Sequence, residues 1–247
     1  MISKEQLNNI AQKTGLDLYQ QEKDYMLKLF LYLYYKNYED AIFKGGTCLK
    51  YILGLQRFSE DIDFNIKNPK KFKEQVKKVI DKINQFGIKA YFIKEKIFDE
   101  SYTCEIGFHG PLYKGSSQTQ NKFRIDAGYR EGTVIKPEWN MIKSEYPETE
   151  DSFLVLNMSL EEIFVEKIIA LMTRKKGRDL YDLWFLIKTG VKLNKQLLKT
   201  KSEKIDITNL DFKIIITKKE YERDISRLTN RIIPYEDVKK EIVRLLE

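Results

Sequence analysis

Apolar positions in the first forty residues recur at helical spacing: Leu7, Ile10 and Ala11, then Met26, Leu29, Phe30, Leu33 and Tyr34, with a break near Thr14 and Gly15. The pattern predicts two helices within residues 4–37. Tyr32, Tyr34 and Tyr35 fall inside it, so core packing is expected of them rather than stacking on bases. A short apolar run at 41–43 then meets Lys44, Gly45, Gly46 and Thr47 and a helical segment through Leu53, which reads as strand, glycine turn and helix. Residues 61–66 alternate polar and apolar, as a half-buried strand does. A long lysine-rich amphipathic helix follows Asn68 and Pro69. Asn68 is its expected cap, and Phe72, Val76, Val79, Ile80 and Ile83 turn inward until Gly87. Its lysines form a solvated face. Strand-like runs appear at 88–93, 102–108 and 122–129, with loops at 114–121 and around Pro137. From about Ser159 the pattern is helical to the end: 160–173, 178–188, and shorter segments after Asn194, within 218–229 and after Pro234.

The expected fold class is α+β, a small mixed β-sheet flanked by helices, with N-terminal helices and a C-terminal helical bundle. A boundary near residue 156 separates a core (1–156) from a helical domain (157–247) expected to close over the active-site cleft. Neither an internal repeat nor a low-complexity linker is seen, which favours two closely packed parts. The length of 247 residues suits one α/β core with a helical extension.

Composition narrows the chemistry. With 42% apolar and 33% charged residues the chain has material for a core and is not a disordered segment. Forty-four basic against 37 acidic side chains leave +7, which favours anionic partners. Residues 156–247 hold 20 basic and 15 acidic side chains (net +5), against 24 and 22 (net +2) before them, so a polyanion is expected to lean on the helical part. His109 is the only histidine, which excludes multi-histidine metal sites; its segment, 107–111, reads as a strand ending in a turn. Cys48 and Cys104 lack the spacing of a redox pair and are expected as two buried thiols in a reducing cytoplasm. The longest apolar stretch, 25–35, is interrupted by Lys28 and is too short for a bilayer, and the N-terminus has no secretory pattern. A cytoplasmic location without a membrane partner is expected.

Three segments carry the candidate chemistry. Residues i and i+2 of a strand share a face, so Asp61 and Asp63 project together while Ile62 and Phe64 enter the core. Two carboxylates in one small volume are unfavourable unless they share a proton or a cation, and hard oxygens beside phosphate are the usual setting for magnesium. The alternative is an exposed strand with two solvated aspartates. Gly45 and Gly46 sit where a strand enters a helix, letting backbone approach an anion at a helix N-terminus, and Thr47 adds a hydroxyl. Otherwise they make only a tight turn. Arg124, Asp126 and Gly128 share one face of the run 123–128; if that strand neighbours 61–66, Asp126 completes a metal triad and serves as general base. A surface salt bridge is the competing reading. Further on, Lys167 and Arg174 lie on one helix face and Asp179 and Asp182 on the next helix, so cations and carboxylates could converge across the Gly177 turn to hold a triphosphate tail. A charge-laced helical hairpin would look the same.

Taken together, KGGTCLKYILGLQRFSEDIDF (44–64), RIDAGYRE (124–131) and EKIIALMTRKKGRDLYDLW (166–184) resemble the AbiEii/AbiGii toxin family within the polymerase-beta-like nucleotidyltransferase superfamily. The likeness covers roughly residues 40–190. It implies a nucleotidyltransferase core sheet followed by a helical bundle, and Mg²⁺-dependent transfer of a nucleoside monophosphate from NTP, with two Mg²⁺ ions expected. It also implies a toxin role in a toxin–antitoxin or phage-defence pair, hence a cognate antitoxin. By position, Gly46 and Thr47 match the nucleotide-binding turn with Gly45 beside them. Asp61 and Asp63 match the metal ligands, Lys167 the phosphate-binding lysine, and Asp179 a later essential acid. Arg174, Arg178 and Asp182 match the pattern and could be structural. The base role of Asp126 comes from strand geometry alone.

The expected reaction is in-line attack of an acceptor hydroxyl on the α-phosphorus, with pyrophosphate leaving toward Lys167 and Arg174. The acceptor is expected to be RNA, such as a tRNA end, or protein. An aminoglycoside-type antibiotic nucleotidyltransferase is the alternative, but it calls for an acidic acceptor pocket and the chain is basic. A nucleotide-binding module without turnover is the third reading; the intact Asp61 and Asp63 pair argues against it.

Overall fold

A computed structural model of the chain describes residues 1–129, 132–204, 216–229 and 231–246. The chain divides into two compact units. The first comprises Met1–Ile52, Glu60–Gly132 and Pro137–Asn157. Its helices are α1 (Lys4–Thr14), α2 (Leu18–Tyr35), α4 (Pro69–Gln85) and all but the last residue of α3 (Gly45–Leu53). Its strands are β1 (Ile42–Lys44), β2 (Asp61–Asn65), β3 (Lys89–Ile97), β4 (Ser101–His109), β5 (Asn121–Gly128), β6 (Glu138–Lys143) and β7 (Ser152–Asn157). They form one seven-stranded sheet in the order β3-β4-β5-β2-β1-β7-β6. The β2–β5 and β1–β7 pairs are parallel and the others antiparallel, so the sheet is mixed, in an α+β fold.

Local chemistry sets the helix ends. Ser3 and Gln6 close a capping box on α1, and Gly15, at φ 74°, ends it. Asn68 caps α4 through the Lys71 N–H, with Pro69 in the first turn where its missing N–H costs nothing. Helices α2 and α4 pack on one face of the sheet. Tyr34 of α2 lies 5.5 Å (ring centroids) from Phe64 of β2 and 5.6 Å from Phe72 of α4, and Phe64 meets Phe72 edge-on at 5.3 Å. Ile62, Phe64, Phe123, Ile125, Tyr102 and Ile106 are buried. The three expected tyrosines of α2 are buried as well, and Cys48 and Cys104 are buried thiols not joined to each other.

The sheet is larger than the hydropathy pattern indicates, because β6 and β7 carry misleading signals. In β6 Trp139 and Met141 are exposed while Ile142 is buried, so apolar side chains fall on both faces and the alternation of a half-buried strand is lost. In β7, Phe153, Leu154, Val155 and Leu156 form a continuous apolar run, which periodicity cannot assign to strand or helix.

The second unit comprises Leu53–Ser59, Thr133–Lys136 and Met158–Glu247. Its helices are α5 (Leu160–Arg174), α6 (Gly177–Lys188), α7 (Lys195–Lys204), α8 (Lys218–Ile225) and α9 (Tyr235–Leu246), with α6 packed against α5, α8 and α9. Buried charges pin its two short segments to the bundle. Arg57 donates from Nε and Nη2 to the two Asp182 oxygens at 2.6 and 2.7 Å. The Glu162 carboxylate accepts the Val134 and Ile135 N–H groups, each at 2.9 Å, and pairs with Lys201 at 2.8 Å. Burial alone would raise the Asp182 carboxyl; Arg57 and Lys167 outweigh it and hold the group below its ordinary value. Among the described residues no helix is long and apolar enough to cross a membrane.

Two consequences are measurable. Phe64→Ala should lower unfolding free energy by about 3–5 kcal/mol in urea titrations, since the ring is fully buried among aromatic neighbours. Asp182→Ala removes both carboxylate bonds of buried Arg57 and one of the two partners of Lys167, and should cost about 3–5 kcal/mol at neutral pH. Because the folded carboxyl is depressed, its contribution is full above the unfolded value of about 3.9 and vanishes as pH falls through the folded one. Acid titration should therefore destabilise the parent chain more steeply below about pH 4 than the variant.

Candidate active site

The site of the first unit grows from the alternation of β2. Phe64 and Ile62 are drawn into the core, which leaves Asp61 and Asp63 on the opposite face, both partly exposed. Register decides their neighbours. Asp63 stands opposite Lys44 of β1 on one side and Asp126 of β5 on the other, and Asp61 stands opposite Arg124. Strands are about 4.8 Å apart and directly paired residues share a face, so the three aspartates occupy one patch.

The strand β1 ends in the glycine turn that starts α3. Gly45 has φ 80°, a left-handed conformation that side chains disfavour. A Cβ there would lie 2.8 Å from Asp63 Cγ and overlap Oδ2, so glycine also allows the carboxylate to seat against the turn backbone. Gly45, Gly46 and Thr47 form the first turn of α3, whose N–H groups have no partner within the helix. Thr47 is buried and its hydroxyl donates to the Asp61 carbonyl oxygen, tying the start of β2 to the turn. Behind it, burial and the Asp63 charge push the Cys48 thiol up, which leaves it unreactive.

Asp126 is held through one oxygen. Its Oδ1 accepts Thr103 Oγ1 at 2.7 Å, Arg124 Nη2 at 2.8 Å and Arg124 Nε at 3.0 Å. Thr103 was legible only through register: it lies on the polar side of β4, opposite Asp126. Among the described residues no three His, Cys, Asp or Glu side chains are gathered closely enough to chelate a metal on their own. Arg130 and Glu131, which end the RIDAGYRE segment, lie outside the described residues.

In the second unit Lys167, Arg174, Asp179 and Asp182 converge across the turn between α5 and α6. Lys167 Nζ is 2.6 Å from Asp182 Oδ2 and 3.2 Å from Asp179 Oδ1. Arg174 grips Asp179 with two bonds of 2.7 Å. Both aspartates are fully buried, whereas the Arg174 side chain is 46% exposed. Burial would raise the Asp179 carboxyl, but Lys167 and Arg174 hold it low, and its place in the first turn of α6 adds the helix dipole. Gly177 leaves no room for a Cβ, which would sit 2.9 Å from Tyr221 Cα, and its N–H donates to Asp224 at 2.8 Å. Arg57 completes the cluster through Asp182; its place in the 44–64 segment marked it, but its role needed the fold. Arg57, Lys167 and Arg174 thus converge on the two buried carboxylates.

Curated protein sequences yield no match. The fold is similar to that of JHP933 from Helicobacter pylori, with a TM-score of 0.62 and 22% identity over 92% of this chain and 89% of that one. It is also similar to MenT4, nucleotidyltransferase toxin Rv2826c from Mycobacterium tuberculosis H37Rv, with a TM-score of 0.69 and 14% identity over 99% of this chain and 88% of that one. The family model described as nucleotidyl transferase AbiEii toxin, type IV TA system, matches residues 34–243, from the end of α2 into α9. The chain therefore belongs to the AbiEii family of nucleotidyltransferase toxins of type IV toxin–antitoxin systems.

Proposed function

We propose that this chain transfers a nucleoside monophosphate from an NTP to a hydroxyl of an RNA acceptor, a tRNA end being the acceptor class chosen for test, and that Asp61 and Asp63 are its central residues. The observation that carries the reading is the joint projection of these two carboxylates from β2, with Asp63 seated against the backbone of the Gly45 turn. The donor set fits a divalent ion: Mg²⁺ ordinarily takes one or two carboxylates and completes its shell with water and phosphate oxygens, so no closed protein cage is required. Held by Asp61 and Asp63, it would supply Lewis-acid polarisation of the phosphate oxygens.

The remaining roles belong to the protein. The N–H groups at the start of α3 bind phosphate oxygen, and Gly45 lets the nucleotide approach the backbone. Asp126 accepts the proton of the attacking hydroxyl through Oδ2, its Oδ1 being held by Thr103 and Arg124. The new bond forms between the acceptor oxygen and the α-phosphorus as the bond to the pyrophosphate oxygen breaks. Lys167 and Arg174 are the phosphate-binding cations of the second unit, and Asp179 is a positioning residue that orients both. The excess of basic side chains, concentrated in residues 156–247, favours RNA over a cationic aminoglycoside as acceptor.

Incubation with each α-labelled NTP and Mg²⁺, beside tRNA or an aminoglycoside, should label the tRNA. Label on the drug, or on neither, would overturn the reading. Asp61→Asn or Asp63→Asn should reduce transfer by at least about a thousandfold, the scale expected when central charge stabilisation is removed, with the melting temperature nearly unchanged. Gly45→Ala should lose transfer as well, together with about 1–2 kcal/mol of stability for the left-handed conformation. Full activity in that variant would contradict the close seating of Asp63.

A further inference from the structure

The open face of the sheet continues beyond the aspartates toward β3, and strand register defines its rungs. One rung runs Asp63, Asp126, Thr103, Lys96, and the next Asp61, Arg124, Glu105, Lys94. A third brings Lys122, Gly107 and Tyr91 together, and a fourth pairs His109 with Lys89. A register shift between Phe92 and Lys94 makes this possible. Without it, Tyr91 and Lys94 would point to opposite faces; with it, Lys89, Tyr91, Lys94 and Lys96 all join the open face.

This wing has the chemistry of a single-strand platform. Lys89, Lys94, Lys96, Lys122 and Arg124 are all exposed, against Glu105 and Asp126 as the facing acids. Glu105 is paired with Lys122 at 2.7 Å, and Asp126 with Arg124 at 2.8 Å, so the three β3 lysines carry the surplus. At the far end the rings form an array: His109 stacks on Tyr113 with centroids 3.6 Å apart and planes 10° from parallel, and Tyr91 meets His109 edge-on at 5.8 Å. All three are half-buried, which fixes the rings while leaving ring surface accessible. Burial and the nearby Lys89 charge hold the imidazole below its ordinary value. Aromatic faces interleaved with lysines bind unpaired bases and backbone phosphates together, whereas a duplex keeps its bases stacked inside and uses only the charges.

We infer that the β3–β4–β5 wing, from Lys94 and Lys96 to Tyr91, His109 and Tyr113, binds a single-stranded stretch of the RNA acceptor and leads it toward Asp61 and Asp63. The inference rests on the RNA reading above. From β2 to β3 is three strand spacings, roughly 14 Å, so the bound stretch is a few nucleotides.

The test is anisotropy of a fluorescein-labelled 12-nucleotide single-stranded RNA, in EDTA and without NTP, with the parent chain, K89Q/K94Q/K96Q, Tyr91→Ala and Tyr91→Phe. Thermal melting by circular dichroism confirms folding of each. The triple variant should reduce the slope of log affinity against log salt by about 2, since each single-strand phosphate contact contributes about 0.7. Tyr91→Ala should weaken binding about tenfold, and Tyr91→Phe should retain it. In the labelling assay the KM for RNA should rise with the same variants while kcat and the KM for NTP hold. Unchanged affinity and salt slope in both the triple variant and Tyr91→Ala would overturn the inference. So would equally tight binding of poly-aspartate that ignores Tyr91→Ala, which would assign the wing to an acidic protein. The two readings fail separately: tRNA labelled with a KM indifferent to these variants removes the platform and leaves the acceptor, whereas RNA bound through these residues but never labelled removes the acceptor and leaves the platform.

Discussion

The seating of the Asp63 carboxylate against the Gly45 turn is the constraint on which the rest of the first unit depends. Two opposite demands meet at β2. The aromatic cluster of Tyr34, Phe64 and Phe72 draws one side of the strand into the core, and this fixes its register and rotation. The other side must then present Asp61 and Asp63, whatever their mutual repulsion. Gly45 is what lets β1 end, α3 begin and a carboxylate stand beside the turn within one small volume, because any Cβ would overlap Asp63. Thr47 closes the arrangement from below by holding the Asp61 carbonyl. The apolar core therefore supplies the energy that places charged groups where they would not gather by themselves.

The second unit solves a related problem in the opposite way. Asp179 and Asp182 are fully buried, an expensive position for a charge, and each is gripped by Lys167 and by one arginine. The cost is met by geometry, with bidentate forks from Arg57 and Arg174 and an ammonium between them. A hydrophobic cluster of the same volume would be as stable or more so, which argues that the network is kept for the orientation it imposes on its cations. Lys167 is thereby a fixed charge rather than a mobile one.

Much of this was legible in the chain because the signals were local. The start of α4 followed from Asn68, and the faces of β2 and β5 from simple alternation, which put Asp61 and Asp63 together and left Asp126 to join them once β5 was found to neighbour β2. What escaped was set by contacts distant in sequence. Trp139 and Met141 lie exposed on an edge strand, so their hydropathy points the wrong way. Arg57 sits in a motif whose neighbours drew attention, yet its partner is 125 residues later. Thr47, expected to offer its hydroxyl to a ligand, spends it on a backbone carbonyl, a bond that only the packing of α3 against β2 creates. The Asp126 base role also looks different in place, since one oxygen is already committed to Thr103 and Arg124.

That commitment bears on how the acidic patch works. Three carboxylates on adjacent strands would repel strongly if all were left to solvent and one another. Arg124 removes much of this by neutralising Asp126 from within its own strand, two residues away and on the same face. Under the proposed function, Asp61 and Asp63 are the adjacent pair whose repulsion a shared cation would relieve, and the nearby helix N-terminus would attract the anion that accompanies it. In that reading cation and nucleotide would be mutually reinforcing ligands: each would reduce the electrostatic cost of the other, and neither would need a preformed cage. A polar sheet face is the form such a site would take when much of its coordination is brought by the substrate.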